Sequence, residues 1–171
     1  MSLAFDRTEV ERQLTAAAEE VLETMFFASI EESSADGATH ASTDRIGTDR
    51  IGAAVSFHGT CEGHLAVSLG RDAAQCLAAS FFGDWGDGDC GDTGEFAASE
   101  QCASVMAELA NMVCGSMLSR LEKKAIFCLE TPEALPVGAE VGGWIEKDLV
   151  LENGLLRLAF SLTTADRVGP Q

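Results

Sequence analysis

Positive charge is scarce in this sequence. Eleven Lys and Arg stand against 28 Asp and Glu, a formal net charge of −17. A surface that negative repels phosphate backbones and anionic lipid heads, so nucleic acid and membrane surfaces are excluded as partners. A basic groove on another protein remains open to it. No apolar run approaches the ~20 residues that a bilayer span needs. The opening "MSLAFDRTEVERQL" has no basic stretch followed by an apolar one, so it does not read as a signal peptide. No C-x-x-C pair occurs among Cys61, Cys76, Cys90, Cys102, Cys114 and Cys128. Without an export signal, they are expected to be reduced and mostly buried thiols in a cytoplasmic protein. G-x-S-x-G, H-E-x-x-H and P-loop motifs are missing, which removes the commonest hydrolase and nucleotide-binding readings. No β-α-β rhythm with a Gly-rich turn appears, which argues against a doubly wound sheet. His40, His58 and His64 have no Cys or carboxylate at ligand spacing, so no metal site is expected.

What is present suits one domain over residues 1–171: 46% of the residues are hydrophobic, enough for a sizeable core. Val10, Leu14, Ala17, Val21, Met25 and Ala28 recur at helical spacing, and Thr8 with Glu11 predicts a capping box at the start. Residues 33–49 are polar and read as a loop. "IGAAVSF" and "GHLAVSL" predict a pair of strands, and Asp72 to Phe82 a short helix. A second loop, 83–95, is rich in Gly and Asp. Its Asp84, Asp87, Asp89 and Asp92 fit a calcium loop at only two places. Ser99 to Leu121 predicts a second long helix, "AIFCLE" a strand, and Val137 to Ile145 a short edge strand. "DLVLENGLLRLAFSL" predicts a hairpin around Asn153-Gly154. The order implies an α+β fold: an antiparallel sheet with two long helices packed on it. Each half opens on a long helix and continues into strands, a loose internal duplication.

The second long helix carries an oddity, "AELANMVCG". Asn and Gly each weaken a helix interior by a few tenths to ~1 kcal/mol against Ala. At about 100° per residue, Ser104, Glu108, Asn111 and Gly115 share a stripe roughly 60° wide. Val105, Leu109 and Val113 point elsewhere, so the stripe is expected to meet solvent. Cys114, on the same helix, reads as a packing residue rather than a nucleophile.

Ser104-x-x-x-Glu108-x-x-Asn111 resembles the [D/S]-x-x-x-E-x-x-N signature of the CheC/CheX/FliY chemotaxis phosphatases, and "ELANMVCG" is close to its CheX-like members. The signature also carries a proline downstream; Pro132 and Pro136 follow here. "EEVLETMFF" looks like the family's first helix, and both hairpins fall where the family has strands, so the likeness spans about residues 8–163. CheC and FliY carry the signature on both long helices. Glu19, Glu20 and Glu23 of the first helix lack the Asn, so the resemblance implies one site per chain, as in CheX.

The resemblance implies hydrolysis of the aspartyl phosphate of a CheY-like response regulator, by a cytoplasmic homodimer. Asn111 would orient the attacking water, and Glu108 would pair with a regulator lysine. Ser104 and Gly115 would shape the approach surface. No cofactor of its own is implied; Mg2+ is expected on the partner regulator. The residue types suit that chemistry. An acyl phosphate is reactive already, and needs an in-line water and charge neutralisation. A neutral amide holds water without repelling the phosphoryl oxygens as a carboxylate would. A non-catalytic module docking a regulator or a flagellar switch component is the alternative left open by the same residues.

Overall fold

The computed structural model describes residues 5–31, 49–83, 95–121 (backbone only over 95–99) and 126–163. Its elements are α1 (Arg7–Met25), β1 (Arg50–Gly59), β2 (Glu62–Gly70), α2 (Arg71–Phe82), α3 (Glu95–Leu121), β3 (Phe127–Leu129), β4 (Glu133–Ala134), β5 (Ile145–Leu151) and β6 (Gly154–Thr163). The architecture is α+β, as the sequence implies. All strands pair antiparallel in one sheet of order β3-β1-β2-β6-β5, with β4 also on β1. α1 and α3 pack on each other and on the sheet. Between them lies the core, with Phe26, Phe160, Leu14, Leu65, Met106 and Leu156 fully buried. Both polar loops, with the four loop aspartates, lie outside the described residues apart from their ends.

The duplication is written into the packing. The two hairpins sit back to back in mirror order, β1-β2 then β6-β5. Each half's long helix packs on the other half's outer strand: α3 on β1, α1 on β5. A shift of 88 positions carries Leu14, Ala17, Ala18, Val21, Leu22 and Phe26 onto Cys102, Val105, Met106, Leu109, Ala110 and Cys114. Every one of these is buried. Two helices with the same buried face cover one continuous sheet, which neither hairpin could bury alone.

Four local expectations change. α1 starts earlier, with Asp6 as its N-cap and no side-chain cap bond, so Thr8 and Glu11 lie inside the helix and form no capping box. The Val10 N–H already donates to the Asp6 carbonyl at 3.0 Å. Val137 to Ile145 is not an edge strand. Leu135 and Gly138 N–H groups bond to β1 carbonyls, whereas the Trp144 N–H reaches Ser161 on β6. This connection therefore runs from one side of the sheet to the other. Ala66 and Ser68 are buried although they face away from the helices, and the Arg50 guanidinium donates to both the hydroxyl and the carbonyl of Ser68. The last hairpin turns at Glu152-Asn153, because Leu151 already pairs with Gly154. Gly154 is needed for packing: a Cβ there would sit 2.8 Å from the Ala73 Cβ on α2. Finally, Glu100–Leu121 is long and apolar enough to cross a membrane by length and composition alone, contrary to the expectation of no such stretch. Half of it is buried inside the protein, as a core helix requires.

Candidate functional site

α3 is a core helix with one wet side. Cys102, Val105, Met106, Leu109, Ala110, Val113, Cys114 and Met117 are buried against α1 and the sheet. Ser104 and Glu108 are exposed, and Asn111 and Gly115 are half-buried. All four expected residues thus lie together on the solvent side, over a length of about 16 Å at 1.5 Å per residue. Asn111 is half-buried, and no hydrogen bond to its amide is made among the described residues. Gly115 has a simple test of purpose. A Cβ built on it would meet nothing within 4 Å, so no packing among the described residues requires a glycine there. Gly115 thus weakens the helix without an interior reason among the described residues.

Among the described residues, no cysteine or histidine belongs to the stripe. Cys61, Cys102 and Cys114 are buried, Cys76 and Cys128 exposed, and all five are free. Burial pushes the Cys114 thiol up to about 12, so it is a neutral packing group. His58 does have neighbours that the sequence separates. It stands opposite Cys128 across the β1–β3 pair, and its Nδ1 is 3.7 Å from Glu130. Still, no three such donors converge on a metal position among the described residues.

The shift that aligns the buried faces also aligns the stripes. Ala16, Glu20, Glu23 and Phe27 of α1 correspond to Ser104, Glu108, Asn111 and Gly115. The first half keeps the glutamate, but Glu23 replaces the asparagine and Phe27 the glycine. Glu20 is also occupied: it accepts hydrogen bonds from Arg120 and, at 3.2 Å, from Ser116, both on α3. Those bonds, Arg120 first, hold the Glu20 carboxyl below its ordinary value. One half thus presents an open polar stripe, and the other has turned its glutamate into a tie between the helices. Sequence reasoning missed this role of Glu20, although the 88-residue shift was available to find it.

One antiparallel sheet under two long helices, in this order, is the fold class of the CheX-like chemotaxis phosphatase domains. The family model for the chemotaxis phosphatase CheX matches residues 51–137, more than half of the chain, and the chain belongs to that family. No curated protein is similar enough to match. The fold recurs in CheX from Vibrio vulnificus (TM-score 0.63, 15% identity, 94% of this chain and 100% of that one). It recurs in CheX from Desulfovibrio desulfuricans (0.61, 18%, 91% and 99%). A chain of the CheX–CheY–BeF3–Mg2+ complex of Borrelia burgdorferi is similar as well (0.60, 15%, 88% and 96%). At these identities the likeness is one of fold.

Proposed function

We propose that this protein hydrolyses the aspartyl phosphate of a CheY-like response regulator, using the α3 stripe. The observation that carries the proposal is the wet side of a core helix, where Glu108 and Asn111 are accessible beside a glycine that no packing among the described residues requires. Membership of the CheX family supports it. So does the relative from Borrelia burgdorferi, whose complex holds CheY with BeF3 and Mg2+.

In this reading Asn111 holds a water in line with the phosphorus. The water attacks, the bond from phosphorus to the aspartyl oxygen breaks, and inorganic phosphate leaves the regulator's carboxylate behind. The amide positions the nucleophile, which is most of what a loose phosphoryl transition state requires. Glu108 pairs with a regulator lysine in a charge-assisted contact that sets the docking register. Ser104 and Gly115 form the floor on which the regulator lies. Mg2+ belongs to the regulator, where it neutralises the phosphoryl oxygens. The chain is expected to act in the cytoplasm as a homodimer. Among the described residues, the outer edge of β5 is paired only at its Leu151 end, by Ile30, which leaves strand available for a second copy.

The test is the half-life of a phosphorylated receiver domain with catalytic amounts of this protein added. A shortened half-life with many turnovers per chain is expected. Stoichiometric binding with an unchanged half-life would overturn the catalytic reading and leave a docking module.

A further inference from the structure

Phe27 breaks two rules of its position at once. It follows the C-cap of α1, where its φ is 52°. Across it the Ala28 N–H donates to the Leu22 carbonyl at 3.0 Å, closing the helix. Glycine suits such a place, because a Cβ crowds the backbone there. A phenylalanine adds that strain, and burial does not offset it: the residue is 72% exposed. It has company. Phe26 stacks on Phe81 at 5.0 Å, and Phe81 meets Phe82 edge-on at 5.4 Å. The Phe26–Phe81 stack therefore brings the C-terminal ends of α1 and α2 together, and Met25 and Phe27 at the first end and Phe82 at the second are each exposed. Strain and exposed aromatic surface at one spot mark a binding surface.

Charge says what binds. The sequence has no Lys or Arg from Gln13 to Asp44, nor from Asp72 to Ser119. Glu19, Glu23 and Glu31 are exposed on either side of Phe27 in the chain. Neither α1 nor α2 has a basic residue in its last turn. The last turns of both helices therefore supply no cation of their own to the negative helix ends. Two copies meeting here would oppose acidic rims on chains of −17 each, and anionic lipid is repelled for the same reason.

We propose that the surface of Met25, Phe27 and Phe82 docks a basic amphipathic helix of a partner protein. Its apolar face covers the three side chains, and its Lys and Arg meet the acidic rim and the two helix ends. The proposal rests on none of the roles given to the α3 stripe.

The probe is a fluorescein-labelled amphipathic helix of about 18 residues, long enough to be helical, with Leu and Phe on one face and Lys on the other. A counterpart carries Glu for every Lys. Anisotropy against the full chain at physiological salt should show binding of the Lys peptide and none of the Glu peptide. Phe27→Gly should lose at least about tenfold in affinity, as loss of an aromatic anchor does. It should also melt higher, since glycine relieves the left-handed backbone. Phe82→Ser should weaken binding without touching α1, and Glu23→Lys should do so through charge. Wild-type affinity in Phe27→Gly and Phe82→Ser overturns the proposal, as does equal binding of both peptides. A wild-type dimer that Phe27→Gly dissolves overturns it in favour of a second copy. Binding to vesicles rich in phosphatidylserine that Phe27→Gly abolishes overturns it in favour of a membrane.

Discussion

Replacing Gly115 by alanine separates what the fold wants from what the partner wants. Inside the chain the new methyl meets nothing within 4 Å, so it costs no packing. Alanine is better than glycine in a helix interior by about 0.5–1 kcal/mol. Half exposure of the site leaves that gain largely intact. For a domain of this size the melting temperature should rise by about 1–4 °C. Toward the regulator the same methyl stands out from the helix by about one carbon–carbon bond. A misplacement of about 1 Å at a reacting centre costs on the order of 10²-fold. Gly115→Ala should therefore be more heat-stable and a much slower phosphatase, and Gly115→Leu slower still. Calorimetry measures the first effect, phosphate release from a phosphorylated receiver domain the second. A stabilised Gly115→Ala that turns over at the wild-type rate refutes close approach at this point. One that melts lower than wild type refutes the open space inferred around the glycine.

Asn111→Ala should keep regulator binding and slow dephosphorylation by about 10²-fold or more, as loss of a positioning group does. Asn111→Asp should fail too, since it sets a negative charge beside the phosphoryl group; affinity and rate measured together check both. Glu108→Lys should weaken binding as well as turnover, most at low ionic strength, where like charges repel hardest. The Cys114 thiol is raised from 9.0 to about 12 by burial. Its contribution to stability is complete below 9.0 and is lost as pH rises toward about 12, so Cys114→Ser should flatten the alkaline arm of a stability–pH curve between those values. Glu20 shifts the other way: its carboxyl is lowered by Arg120 and Ser116. Its stabilisation is present above its ordinary value of 4.5 and disappears as pH falls through the lowered one, so wild type and Glu20→Gln should converge in acid.

Periodicity alone determined much of this protein. The 3–4 spacing of apolar residues defined both long helices, and short apolar runs on either side of glycine-containing turns defined both hairpins. Apolar side chains must share a face before they can be buried, so these patterns precede any particular packing. The stripe of Ser104, Glu108, Asn111 and Gly115 was legible for the same reason: helical geometry sets which residues line up. Missed features depend on neighbours distant in the chain. The connection after β4 runs from β1 to Ser161 on β6, because its N–H groups find acceptors on strands far apart in the chain, which local sequence cannot announce. Gly154 reads as a turn residue by composition, yet it is required by the approach of Ala73 from another element. Gly115 shows the opposite case. Only the tertiary structure shows that, among the described residues, no atom lies near its missing Cβ, so that packing does not explain the glycine. Glu20 and Glu108 are equivalent by sequence shift, and both are exposed glutamates on amphipathic helices. What separates them is tertiary: Arg120 reaches Glu20 across the α1–α3 interface, while Glu108 faces solvent. Charge and periodicity are local properties that a chain carries unfolded, but whether a carboxylate is tied or available depends on which cation the fold brings within reach.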